Sequence, residues 1–69
     1  MNVVAELSSN MWKILVAPGD TVVAGQELAI LESMKMEIPV ESPSAGQIVS
    51  VHISEGDAVA EGQLLFVIE

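Results

Sequence analysis

The 69-residue chain reads as all-β: about eight short strands, in two sheets, wrapped around one shared core. Three observations carry that reading. The sequence is an ungapped duplicate, its apolar residues alternate with period two, and glycine-centred turns cut it into short runs. No amphipathic helix of useful length appears anywhere.

The duplication has an offset of 37 residues, with Ile14 to Glu32 aligning on Val51 to Glu69. Gly19/Gly56, Asp20/Asp57, Val22/Val59, Gly25/Gly62, Gln26/Gln63, Leu28/Leu65 and Glu32/Glu69 are identical. Residues 1–32 map onto 38–69, and residues 33–37 belong to neither copy. A repeat this short cannot bury its apolar face alone, so both copies must share one core in a pseudo-twofold arrangement. One domain spanning residues 1–69 follows, with 33–37 as the joint.

In chain order, Val3 to Glu6 is the first strand, mirrored around Val40, and Ser8-Ser9-Asn10 is a turn. The next strand runs from Met11 to Ala17 and its mate from Gln47 to Ser54. Trp12/Val49, Ile14/Val51 and Val16/Ile53 are apolar in both copies, which places them inward; Lys13/Ser50 and Leu15/His52 point outward. Trp12 has an alternative role as an aromatic docking surface. The Gly-Asp and Gly-Gln turns bracket very short strands, Thr21 to Val23 and Ala58 to Ala60. The recurrent glycines mark backbone that needs positive φ. Asp20 and Asp57 are expected to bond nearby backbone rather than a metal. Leu64 to Ile68 closes the chain and repeats Glu27 to Leu31.

Around the joint, Met36, Ile38 and Val40 alternate with Glu37, Pro39 and Glu41. On the preceding strand, the outward preference of Glu32 turns Ala29, Leu31 and Ser33 inward. A hairpin with Met34-Lys35 as its two-residue loop then faces Ser33 with Met36, Leu31 with Ile38 and Ala29 with Val40. That loop is chemically odd. Two-residue hairpins commonly need positive φ at both central positions. Methionine and lysine adopt it at a penalty of roughly 1–2 kcal/mol per residue. The same register sets Glu32 opposite Glu37, a destabilising like-charge pair. Two broken local rules at one spot point to function there, namely Lys35 held out for covalent modification. An ordinary solvated hairpin with a surface lysine is the bland alternative.

The remaining composition excludes several classes. Ten acidic against two basic residues give a formal net charge of −8. Nucleic acid and anionic membranes are poor partners for such a chain, and a basic protein surface is a good one. No apolar run approaches the roughly 20 residues of a membrane helix. Absence of cysteine suits a reducing compartment, and a cytoplasmic location is expected. His52 is the sole histidine, in a strand on the outward face, and no metal-ligand set or phosphate-binding glycine loop is present. Glu32 and Glu37 flank a protruding tip rather than a cleft, so catalysis by this chain is not expected.

At Glu32-Ser33-Met34-Lys35-Met36-Glu37 the sequence resembles the biotinyl/lipoyl attachment domains, most closely biotin carboxyl carrier domains and small stand-alone biotin/lipoyl attachment proteins. The resemblance spans essentially the whole chain, including the Gly19-Asp20, Gly25-Gln26, Gly56-Asp57 and Gly62-Gln63 segments and the Gly46 turn. It implies a flattened β-barrel of two four-stranded antiparallel sheets with the modified lysine at a hairpin tip, a position only Lys35 matches. It further implies that a biotin protein ligase joins biotin to Lys35, beside Met34 and Met36. The carrier would then move carboxylate between biotin carboxylase and carboxyltransferase sites. Glu32 and Glu37 are expected to serve ligase recognition. A free lysine amine is mostly protonated at neutral pH, and the exposed tip has no evident base, so the ligase must activate it.

The chain departs from the family pattern in places. Many carboxylase carriers have Pro-Met-(small)-Gly where Ser8-Ser9-Asn10-Met11 stands here, and both the Ala/Pro-rich linker and the thumb-like insertion of some carriers are missing. A lipoyl carrier, loaded by a lipoate ligase, is the second reading, although such domains usually show Asp-Lys-Ala-like tips. An unmodified module for protein association is the third.

Overall fold

A computed structural model describes residues 1–69. Eight strands and no helix are present: β1 (Asn2–Val4), β2 (Ser9–Ile14), β3 (Thr21–Val22), β4 (Glu27–Ser33), β5 (Met36–Glu41), β6 (Gly46–Val51), β7 (Ala58–Val59) and β8 (Leu64–Ile68). They form two four-stranded antiparallel sheets with orders β1-β8-β6-β3 and β5-β4-β2-β7. Neither sheet belongs to one copy. β6 and β8 of the second copy are flanked by β1 and β3 of the first, and β2 and β4 of the first by β5 and β7 of the second. The halves are interlocked, which is how two units without cores of their own come to share one.

The offset of 37 reappears in the hydrogen bonds. The Gly19 N–H donates to the Ile48 carbonyl at 2.8 Å, and the Gly56 N–H to the Met11 carbonyl at 2.7 Å. The Ala5 N–H reaches the Gln63 carbonyl at 2.9 Å, and the Ser42 N–H that of Gln26 at 2.8 Å. Side chains repeat too. The Asp20 carboxylate accepts from the Ala17 N–H at 2.9 Å and Asp57 from Ser54 at 3.0 Å. Gln26 accepts from Val23 at 3.1 Å and Gln63 from Ala60 at 3.0 Å. These bonds close each turn locally, which explains why aspartate and glutamine follow a glycine in both copies. Gly19, Gly25, Gly56 and Gly62 all have positive φ, between 83° and 97°.

The core consists of matched pairs: Met11/Ile48, Val22/Val59, Leu28/Leu65 and Leu31/Ile68 are all buried. At one pair the sizes differ, Ala29 against Phe66, and both are fully enclosed. The one buried polar side chain, Ser42 at 3% exposure, donates its hydroxyl to the Ser44 carbonyl at 2.6 Å.

Trp12 corrects the inward placement expected from period two: it is 43% exposed, and Val49 is likewise outside. The cause is a β-bulge in each copy. Met11 pairs with Leu31 and Lys13 with Ile30, leaving Trp12 as the extra residue; Ile48 pairs with Ile68 and Ser50 with Val67, leaving Val49. Each bulge advances the side-chain phase by one, so Met11 and Ile48 turn inward while Ile14 and Val51 keep their core contacts. Strand limits shift as well. The first strand is Asn2–Val4, and the chain bends at residues 6–8, so Ser9 and Asn10, expected in a turn, begin β2.

Candidate functional site

The β4–β5 hairpin projects the joint. Its register pairs Ser33 with Met36, Glu32 with Glu37, Leu31 with Ile38 and Ala29 with Val40, as the sequence predicts. Met34 and Lys35 are the loop, with φ of 52° and 65°, the only non-glycine residues in the left-handed region. The rungs beneath them hold this conformation, because a slip would turn Leu31 and Ile38 to solvent.

Met34 is 92% exposed and Met36 64%, and Lys35 is exposed and makes no hydrogen bond. An amine so placed is open to acylation, and nothing around it restricts the length of the group it would hold. The molecule measures 31 × 18 × 17 Å. β2 runs away from the tip, and residues 15–20 carry the chain on to β6, where Ile48 pairs with Ile68 beside the C-terminus. The termini are therefore at the opposite end.

Lys13, the other cation, lies on the β2 face with its Nζ 5.3 Å from the Trp12 ring centroid. His52 is exposed and hydrogen-bonds Ser50 at 2.8 Å. No group of three His, Asp or Glu side chains that could hold a metal is present.

Two features went unread in the sequence. A bulge at Leu28 brings Glu27 opposite Glu41, a second like-charge pair on the outer face that already carries Glu32 and Glu37. The register itself, once bulged, was the missing signal. The second feature is an open groove of about 470 Å³ between β1 and β5, floored by Val3 and Leu31. Only the assembled topology reveals it.

Comparison with known proteins adds the family. Residues 2–68 match the family model described as biotin-requiring enzyme. A biotin/lipoyl attachment protein of Bacillus subtilis is 48% identical over 65 residues, covering 94% of this chain and 89% of that protein. A homologue of biotinylated protein TB7.3 from Mycobacterium leprae is 42% identical over 64 residues, covering 93% and 90%. Among solved structures, the urea carboxylase of Kluyveromyces lactis matches the whole chain with a TM-score of 0.93 and 33% identity, over 6% of that enzyme's length.

Proposed function

Since the chain belongs to the biotin/lipoyl attachment family, we propose that it is a biotin carrier domain acylated on Lys35 by a biotin protein ligase. The observation that carries this is the lysine itself, exposed at the apex of a loop held at positive φ. Bound biotin supplies a ureido nitrogen able to carry a carboxyl group. The chain's own residues contribute presentation. Met34 and Lys35 fix the direction in which the side chain leaves, and the β4–β5 ladder keeps that origin rigid. A biotin carboxylase and a carboxyltransferase are the partners this geometry serves, since a tethered group meets two sites at high effective concentration.

Met34 and Met36 favour biotin over lipoate at this tip, because they replace the Asp-Lys-Ala-like pattern. Intact mass after incubation with biotin protein ligase, and separately with lipoate ligase, tests both points. The added mass of one biotin is expected with the first enzyme. Lys35→Arg should abolish it and Lys13→Arg should leave it unchanged. Acylation surviving Lys35→Arg, or lipoate added faster than biotin, would overturn the assignment.

A further inference from the structure

The pseudo-twofold repeat makes each sheet a control for the other, because residues 37 apart in sequence hold the same place in the fold. On the outer face of the β5-β4-β2-β7 sheet, Pro39 pairs with Ile30 and Ile30 with Lys13, next to the bulged Trp12. Pro39, Ile30 and Trp12 thus form an apolar strip across three strands. Trp12 is 43% exposed, and Lys13 sets its Nζ 5.3 Å from the ring centroid. A rung of opposed carboxylates flanks the strip on each side, Glu32 with Glu37 towards the tip and Glu27 with Glu41 away from it.

The equivalent places on the other sheet are filled differently. Val49 stands at the bulge in place of Trp12, Ser50 in place of Lys13, and the Val4–Leu64 pair in place of Glu41–Glu27. β1, β3, β6 and β8 contain no charged residue at all. The fold therefore requires neither an exposed indole at the bulge nor opposed glutamates beside it. Opposed like charges weaken a sheet, and a half-exposed tryptophan forgoes much of the burial its ring can gain. Only one face carries both penalties, and it carries them side by side.

We infer that the Trp12 face is a docking surface for the biotin protein ligase, with the indole as its anchor and the glutamate pairs as its rim. This rests on the reading that Lys35 is biotinylated, and it extends recognition from the tip to a residue on the neighbouring strand. An aromatic side chain at an apolar centre, ringed by charge, has the anatomy of a protein interface. Four carboxylates against one cation on this face call for a socket lined by apolar groups and rimmed by lysine or arginine. A second copy, equally acidic here, would be repelled. Reach singles out the ligase. A bare lysine side chain extends about 6 Å from its Cα at ordinary bond lengths, so an enzyme that acylates it must lie against the domain around the tip. Enzymes acting on the far end of an attached biotin need no such approach. The Ile30–Pro39 rung is three strand steps below Ser33 and Met36, about 10 Å. An ordinary interface of about 800 Å² per partner extends far enough from Lys35 to cover it.

Two measurements test this. The first uses the Lys35→Arg domain, which lacks the amine to be acylated, so that docking is read apart from modification. When unlabelled biotin protein ligase is added to this ¹⁵N-labelled variant, the Trp12 indole N–H and the amides of Lys13, Ile30 and Glu41 should shift or broaden together with residues 33–37. Val49, Ser50 and Val67, on the other sheet, should stay in place. The second measurement is the initial rate of biotinylation against domain concentration. Trp12→Ala should raise KM for the domain at least tenfold with kcat within twofold, and Trp12→Phe should recover most of that loss. Val49→Ala, the counterpart of Trp12 on the other sheet, should match the parent. The NMR experiment keeps Trp12 in place, so it judges the face whatever Trp12→Ala does to stability. A parent domain that takes up no biotin would overturn the Lys35 assignment, a result separate from the NMR outcome. Perturbations confined to residues 33–37, or equal KM for Trp12→Ala and the parent, would overturn the docking surface.

Discussion

Met34 and Lys35 hold a left-handed conformation without a glycine to ease it, and Met34 gains no burial in return, being 92% exposed. Local folding energetics give no reason for a methionine there. We propose that its use lies in what approaches the tip. Replacing Met34 with Asp and Met36 with Ala should therefore cost under about 1 kcal/mol in denaturant unfolding, far below the 2–5 kcal/mol of a core methionine truncation. The same double variant should shift acylation from biotin towards lipoate when the two ligases are compared. A loss near the core value would mark these methionines as structural, and an unchanged preference would remove them from recognition.

At the level of the strand, the four bulges decide which side chains enter the core. The hairpin register around the tip was legible because Glu32 fixed the phase of β4 and alternation fixed that of β5, with no bulge between them and the loop. Trp12 was misplaced because strict period two was carried through a bulge. A clue was present: Met11/Ile48, Trp12/Val49 and Ile14/Val51 are apolar in both copies, and no unbroken strand puts all three on one face. Unfolding measurements separate the two readings. Met11→Ala should cost about 2–5 kcal/mol. Trp12→Ala should cost less, losing a half-exposed ring and a cation–π contact worth about 0.5–1 kcal/mol. Native tryptophan fluorescence should also be quenched readily by acrylamide. The reverse order of stabilities, or a shielded tryptophan, would contradict the bulge. Gly46, the start of β6, is set by approach rather than by φ: a Cβ there would lie 2.7 Å from the Glu69 carbonyl oxygen and 2.7 Å from Ile68 Cγ2. One of those neighbours is backbone and cannot rotate away. Gly46→Ala should destabilise by about 1–3 kcal/mol, read as a lower midpoint in urea; an unchanged midpoint would mean the C-terminal strand yields freely.

Over the whole molecule, interlocked halves leave a small domain whose stability is marginal, and a net charge of −8 acts against it. Four of the carboxylates sit as two facing pairs, Glu32 with Glu37 and Glu27 with Glu41, on one face of the β5-β4-β2-β7 sheet. Opposed like charges weaken a sheet, and salt screens them with a Debye length of about 10 Å at 0.1 M. Added sodium chloride should therefore raise the melting temperature, and Glu37→Gln should match or exceed the parent at low salt, with a smaller gain on adding salt. The opposite sign is expected for biotinylation. A ligase that meets this face with a basic surface gains encounter rate from the same charges, so salt should slow acylation of the parent. Glu37→Gln should be slower than the parent at low salt and converge on it as salt rises, because screening removes what the substitution has already removed. Two titrations on the same two proteins settle it, one by melting and one by initial acylation rate. Parallel salt slopes in the rate experiment, or faster acylation of Glu37→Gln, would leave these glutamates as a solvated face with no part in recognition.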